Sequence, residues 1–315
     1  MKIAVYTGGQ EDRASSRLRS HYVFNHIVHK DIKIFRNLHF LKFAKSDVFH
    51  FHMLFKPMYI IKAIILRIFG KIVIFDIDDN PKKFKHKLGF YFMANCATLV
   101  FFDTRFRLNH HKKFFFNKKK IHQISDVLDL HPLKKKSATK KTYTINNKFI
   151  WFGNIENSHL INNFYDFIVR NKKLFLYMVS SYKKKSNKKN IFFIKWKKDL
   201  IFNLGRKIDI SILSHDGGKD DLCKSENKMV LSILAGIIPI VSNTPSYSSL
   251  AKKLNAKKLI YKNTDEILKI ARKLSPEWKK RFIKSARKYL MVKYSSQIIF
   301  NNILKKIYLI KKNER

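Results

Sequence analysis

Only two of the 315 residues are cysteine, Cys96 and Cys223, and they lie far apart. Two thiols in a chain this long do not make a disulfide framework, and a reducing cytoplasm is the expected setting. Carboxylates are scarce as well: 22 Asp and Glu face 66 Lys and Arg, a formal net charge of +44. Such an excess suits a polyanionic partner, either nucleic acid or an anionic membrane surface. It also suits codon bias, because Ile, Asn, Phe and Tyr are abundant beside Lys. The charge is spread along the whole chain rather than held in one arm, which favours lipid headgroups as the polyanion. No zinc-finger, RRM, KH or helix-turn-helix signature is present, so specific nucleic-acid binding is not expected. Nor does any apolar run approach the ~20 residues of a membrane span. The nearest, 58–75, is broken by Lys62, Arg67 and Lys71. The start, MKIAVYTGG, reads as a strand entering a turn and lacks the apolar core of a leader.

What is present is alternation. Hydrophobic residues make up 45% of the chain and aromatics 14%, enough for the cores of two ordinary domains. Short β-branched and aromatic runs predict strands over 2–7, 31–36, 47–53, 71–77, 98–103 and 120–125. Helical periods fall between them, over 15–28, 57–69, 82–95 and 105–113, with Pro57 and Pro81 at helix starts. The stretch 132–147 is polar, basic and without apolar period, and reads as a linker. Alternation resumes with strands over 148–152, 174–179, 190–196, 209–213, 238–242 and 258–261. Helices are predicted over 159–170, 225–235, 246–253, 264–274, 277–290 and 295–312. The implied fold is α/β, two Rossmann-like doubly wound domains. The expected division is 1–131, a linker 132–147, 148–290, and a basic closing helix within 291–315. In such sheets ligands bind at the carboxyl ends of strands.

One segment there is suited to an anion. After the strand ending near Ser214 comes a loop with Gly217 and Gly218, then a helix opening on Lys224-Ser225-Glu226-Asn227-Lys228. Ser225 reads as the N-cap, with the first-turn amides of Glu226, Asn227 and Lys228 pointing outward. A helix start carries about half a positive charge, and Lys224 and Lys228 add full ones. A diphosphate suits that end; an ordinary capped helix with solvated lysines is the competing reading.

The run KSENK followed at helix length by LAGIIPIVSNTPSY resembles the donor-site segment of GT-B glycosyltransferases. KFIWFGN at 148–154 resembles that group's first C-domain strand and glycine turn. The start MKIAVYTGGQEDRASSRLRSHY and the strands DVFHFHM and KIVIFDIDDNP fit its plan. The resemblance implies two domains facing a central cleft, and a hexosyltransferase-type, metal-independent enzyme. Its donor would be a nucleotide-sugar bound as substrate, with no cofactor. The acceptor would be a glycan or lipid-linked glycan, in bacterial surface polysaccharide synthesis at the cytoplasmic face of the membrane. By the same resemblance Ser225, Asn227 and Lys228 hold phosphates and ribose, Gly153 lets the backbone approach the diphosphate, and Asn154 and Glu226 border the site. Many retaining relatives carry a Glu five residues before the helix-ending glycine; here that position is Leu231.

In the first half, Ser15, Ser16, Arg17 and Arg19 follow the first strand and are candidate acceptor or diphosphate contacts. Asp78, Asp79 and His52 end strands and are candidate bases for the acceptor hydroxyl. His50 and His52 share one strand face, but no further ligands accompany them and no metal is expected. Asp76 with Asp78 also fits a haloacid dehalogenase-type phosphatase, with Asp76 as nucleophile, although that pattern belongs on a first strand. A noncatalytic GT-B-like chain, or a basic nucleic-acid-binding protein, would also fit these residues.

Overall fold

The computed structural model describes residues 1–25, 31–36, 45–81, 83–129, 147–181, 186–197 and 199–313. Except for Asn147, the expected linker lies outside them. Two compact units result, 1–128 with 293–315 and 129–292.

The first unit holds β1 (Lys2–Thr7), β2 (Lys33–Arg36), β3 (Val48–His52), β4 (Ile72–Ile77), β5 (Leu99–Phe102) and β6 (Ile121–Gln123). They form one sheet in the order β2-β1-β3-β4-β5-β6, parallel throughout. Strands covered on both faces should be apolar at odd and even positions alike. In β4, Ile72 and Ile74 face one core while Val73, Phe75 and Ile77 face the other. The predicted first helix is broken into α1 (Ala14–Ser16), a π turn (Arg17–His21) and α2 (Tyr22–Asn25). Behind the sheet stand α3 (Pro57–Ile68), α4 (Phe84–Cys96) and α5 (Arg105–Lys112). Pro57 is the first residue of α3, whereas α4 starts three residues beyond Pro81.

The second unit holds β7 (Lys148–Phe152), β8 (Phe175–Ser180), β9 (Ile191–Lys195), β10 (Ile210–Leu213), β11 (Ile238–Ser242) and β12 (Ile260–Tyr261). Their order is β12-β11-β10-β7-β8-β9, again parallel. The helices are α6 (Asn162–Arg170), α7 (Leu200–Leu204), α8 (Lys219–Leu222), α9 (Asn227–Ala235), α10 (Pro245–Lys253), α11 (Glu266–Arg272) and α12 (Pro276–Lys293). Phe149, Trp151, Ile210, Ile212 and Ile240 meet Phe164 and Ile168 of α6 and Ile267 of α11 in a core on one face of the sheet. Gly236 ends α9 with φ +80°, a conformation that favours glycine.

The closing helix, α13 (Ser296–Asn313), belongs to the first unit. It lays Ile299, Phe300, Ile303, Leu304 and Ile307 on the sheet beside Leu18, Tyr22 and Val23.

Each strand order reverses once. The chain steps out from β1 to β2 and returns beside β1 as β3. It steps out from β7 through β8 and β9 and returns beside β7 as β10. At such a reversal the two connections leave for opposite faces and open a crevice at the strands' carboxyl ends. The β1/β3 and β7/β10 ends are therefore where a ligand site is expected.

Candidate functional site

At the β1/β3 reversal four side chains converge. Thr7 ends β1 and places its Oγ1 3.1 Å from His52 Nδ1 at the end of β3. Across the ring, His52 Nε2 is 3.2 Å from Asp78 Oδ1, just past β4, and 3.4 Å from Ser15 Oγ. Burial pushes the Asp78 carboxyl up, but the His52 imidazole and the Ser15 hydroxyl outweigh it and hold it at about 2. Burial pushes His52 down, yet Asp78 and then Asp76 leave it above its ordinary value. Two candidate bases named separately from the sequence thus form one coupled pair. His52 is buried, and Asp78 keeps part of its side chain at the surface. Asp79 is exposed, and its Oδ1 accepts the Asn80 amide at 3.0 Å.

The expected acceptor residues fare unequally. Arg17 and Arg19 both lie in the π turn with their side chains buried. Arg17 Nη1 donates to the carbonyls of Glu11 and Asp12 at 2.9 and 3.0 Å. Arg19 pairs with Asp76 and with Asp126, the latter at 3.1 Å, and donates to the Ile124 carbonyl. A guanidinium taken out of water needs carboxylates and carbonyls around it, and these two find them inside the unit. Both side chains are thus engaged by groups of their own unit. Ser16 is buried too, while the Ser15 hydroxyl reaches the His52–Asp78 pair.

Asp76 is equally committed. His50 Nε2 lies 3.0 Å from its Oδ2, Arg19 holds its Oδ1, and the carboxyl is buried. It lies inside β4 rather than on a first strand, and a carboxylate so enclosed cannot attack a phosphate. The dehalogenase-type reading is overturned. Burial pushes Asp76 up, but Arg19 and His50 hold it well below the usual carboxylate range. Its contribution to stability is present above that range and is lost as pH falls through its depressed folded value. Asp76→Asn, which leaves Arg19 short of a charge inside the unit, is expected to cost about 3–5 kcal/mol of unfolding free energy, measured by urea titration.

At the β7/β10 reversal, Gly153 follows β7 directly. A β-carbon there would come 3.0 Å from the Lys228 ammonium of α9 and 3.3 Å from the Trp151 ring. The bare turn leaves a cation lying over main chain. Burial brings Lys228 down to about 8, helped by the Lys224 charge and opposed by Asp221. His215, which follows β10, is not among the residues expected from the sequence. Its amide donates to Ser242 Oγ at 3.0 Å, its Nε2 is 3.2 Å from the Tyr247 hydroxyl, and its Nδ1 is 3.4 Å from Asp221. Burial and then Lys228 push this imidazole down, toward the neutral form. The signal that could have found it is position, two residues past a strand's carboxyl end.

Ser225 is not the N-cap. The Lys224 amide still bonds back to the Asp221 carbonyl at 3.1 Å, closing α8, so α9 begins only at Asn227 with Glu226 before it. The loop expected around Gly217 and Gly218 contains that short helix, α8. Asn154 starts a 3-10 turn (Ile155–Ile161) and its amide donates to Glu156 Oε2 at 2.9 Å. Leu231 stands on α9, partly buried, where the resemblance places a carboxylate. Among the described residues, no three His, Cys, Asp or Glu side chains converge to hold a metal ion, and no helix is long and apolar enough to cross a membrane.

No protein-family model matches the sequence, and no curated protein does either. Solved structures match along the whole chain. Anabaena HepE in complex with UDP and glucose is 12% identical, with a TM-score of 0.68 over 98% of this chain and 99% of that one. A glycosyltransferase from Rickettsia africae ESF-5 is 12% identical, with a TM-score of 0.63 over 99% of each chain. The lipopolysaccharide outer core galactosyltransferase WaaB, in its apo form, is 11% identical, with a TM-score of 0.54 over 98% of this chain and 99% of that one. Two parallel six-stranded sheets, each reversing once, give this chain the GT-B fold of glycosyltransferases.

Proposed function

We propose that the protein is a glycosyltransferase that moves a sugar, of hexose type, from a nucleoside diphosphate to an acceptor hydroxyl. The observation that carries this reading is Lys228, whose ammonium stands over the bare turn at Gly153, at the carboxyl ends of β7 and β10. When the anomeric C1–O bond breaks, its electrons leave with the diphosphate. Fixed positive charge at that oxygen lowers the barrier. Lys228 supplies it together with the α9 start and Lys224, so this reading needs neither metal nor cofactor. Ser225, Asn227 and Glu226 border the same end, and Asn154 follows the Gly153 turn.

The acid–base part is Asp78 with His52. Within the first unit this pair is a base for a hydroxyl: the proton an acceptor oxygen gives up on bonding to the sugar passes to Asp78 and settles on His52, the stronger base of the two. His52 must therefore start neutral. The solved complexes of HepE with UDP, and with UDP-glucose, support a donor of this chemical kind. WaaB, named as a lipopolysaccharide outer core galactosyltransferase, supports a glycan or lipid-linked acceptor in bacterial surface polysaccharide synthesis.

A thermal-shift panel of UDP, GDP, CDP and dTDP tests the donor site, since a ligand that binds only the folded state raises its melting temperature. One diphosphate is expected to stabilise the wild type, and Lys228→Ala to lose most of that shift. Equal shifts in both proteins, or none from any diphosphate, would remove the basis of the reading.

A further inference from the structure

The apolar residues of α3 and α4 stand on both sides of their helices. Ala63 and Leu66 of α3, and Phe90 and Met93 of α4, fill the core behind the first sheet. Their opposite faces carry Ile61, Ile64 and Ile68, and Phe84, Leu88 and Phe92, all exposed. Ile68 is 76% exposed and Phe84 75%. The two helices pack side by side. The surface continues past α4, because the Phe116 amide bonds to Asn95 Oδ1 at 3.3 Å and leaves the Phe116 ring 94% exposed. Isolated exposed apolar residues are ordinary, but a continuous patch of them marks an interaction surface.

The charge around the patch narrows the partner. No Asp or Glu occurs in 48–75, 80–102 or 104–125, the stretches that build it. Exposed Lys56, Lys85, Lys87 and Lys113 surround it instead. A second copy would bring the same lysines and the same net charge of +44 against them, so self-association on this face is opposed. An apolar face ringed by cations fits a surface with fixed negative charge above a hydrocarbon layer. At 12 residues α3 is about 18 Å long, too short to span a bilayer and suited to lying in its headgroup plane.

We infer that the α3–α4 face with Phe116 docks the protein on a bilayer of acidic phospholipid, its aromatic and isoleucine side chains entering below the headgroups and its lysines meeting the phosphates. Both helices start at the carboxyl edge of the sheet, the edge that carries His52 and Asp78. This placement brings one end of the patch to the candidate site. The inference stands on its own surface and holds whether or not the transferase reading does.

Flotation of the full chain with vesicles tests it. Vesicles of phosphatidylcholine alone are compared with an equimolar mixture of phosphatidylcholine and phosphatidylglycerol. The variant combines Ile64→Ser, Ile68→Ser, Phe92→Ser and Phe116→Ser, which leaves the net charge unchanged. A second variant, Lys172→Gln with Lys173→Gln and Lys189→Gln, removes charge from exposed positions in the other unit. Wild type is expected to float with the acidic vesicles and not with phosphatidylcholine alone. The serine variant should lose at least about tenfold in partitioning, and the glutamine variant should keep most of it. Phe116→Ser alone, at a side chain standing in solvent, gives a smaller loss in the same direction should the fourfold variant not fold. On acidic vesicles, hydrogen exchange of the wild type should slow over 58–69, 84–92 and 114–116. Equal binding by the serine variant would reduce the effect to bulk charge and overturn the inference. So would no binding by wild type, protection on another face, or a wild-type dimer without lipid that the serine variant dissolves.

Discussion

A chain ending at Lys293 is expected to lose the cooperative unfolding transition of the first unit while that of 129–292 persists. The five α13 side chains named above are buried against the sheet. At ~1.5–3 kcal/mol for each fully buried side chain, they contribute on the order of 10 kcal/mol, an upper figure because an unfolded chain already hides some apolar surface. A whole domain is stable by only ~5–15 kcal/mol. The loss also strips the cover from Leu18, Tyr22, Val23 and Phe24, and removes the edge-on contact of Phe24 with Phe300 at 5.9 Å. The bond from the Leu128 amide to the Tyr294 carbonyl goes with it. Denaturant titration followed by circular dichroism, with limited proteolysis to locate the cuts, reads the result. Two transitions at their full-length midpoints would mean that α13 is no part of the first core.

Why α13 folds back cannot be read from residues 291–315 alone. Its apolar stripe is plain at 3.6-residue spacing, so its existence as a helix is legible. The sheet it covers is built 170 residues or more earlier, and no local pattern names that partner. Strands are the easiest elements to read because a parallel sheet covered on both faces calls for near-continuous apolar runs. KIAVYT and KFIWF carry that requirement openly, and β1 and β7 fall where expected. The first helix is harder. Its periodicity is helical, but Arg17 and Arg19 are both buried and the turn over Arg17–His21 is widened. Charge placed inside a unit follows partners that lie far off in sequence.

The candidate site divides in the same way. KFIWFGN and KSENK point to Gly153 and Lys228, and the structure puts that glycine and that ammonium together. His52 and Asp78 are each legible as strand-end residues, but their pairing depends on β3 and β4 being neighbours in register. Strand order decides that, and composition does not. Arg19 and Asp76 illustrate the opposite failure. In sequence each is a charged residue at a strand end or helix start, the usual place for chemistry. Only their mutual contact shows that they are internal supports, withdrawn from any ligand. Ser225 looks like a cap in sequence because the short preceding helix, ending through Asp221, is too brief to leave a periodic signal.

For a transferase of this kind, kcat/KM for the donor should follow a bell whose basic limb falls near pH 8, each limb having its own residue. The acid limb belongs to His52. Asp78 holds the imidazole above its ordinary value, so the neutral form that takes the acceptor proton fails early as pH falls. The basic limb belongs to Lys228, whose ammonium titrates at about 8 before donor binds. Above that pH the leaving diphosphate loses its nearest charge, and rate falls about tenfold per further unit. A bound diphosphate stabilises the ammonium, so kcat should hold to higher pH than kcat/KM does. Two substitutions separate the limbs. Lys228→Arg keeps the charge on a group that does not titrate below about 12, and should flatten the basic limb while leaving the acid one in place. Asp78→Asn removes the carboxylate that raises His52 and should move the acid limb to lower pH, with a loss of rate throughout. A basic limb unchanged in Lys228→Arg would mean that some other group sets it, and Lys228 would then not be the cation that meets the leaving oxygen.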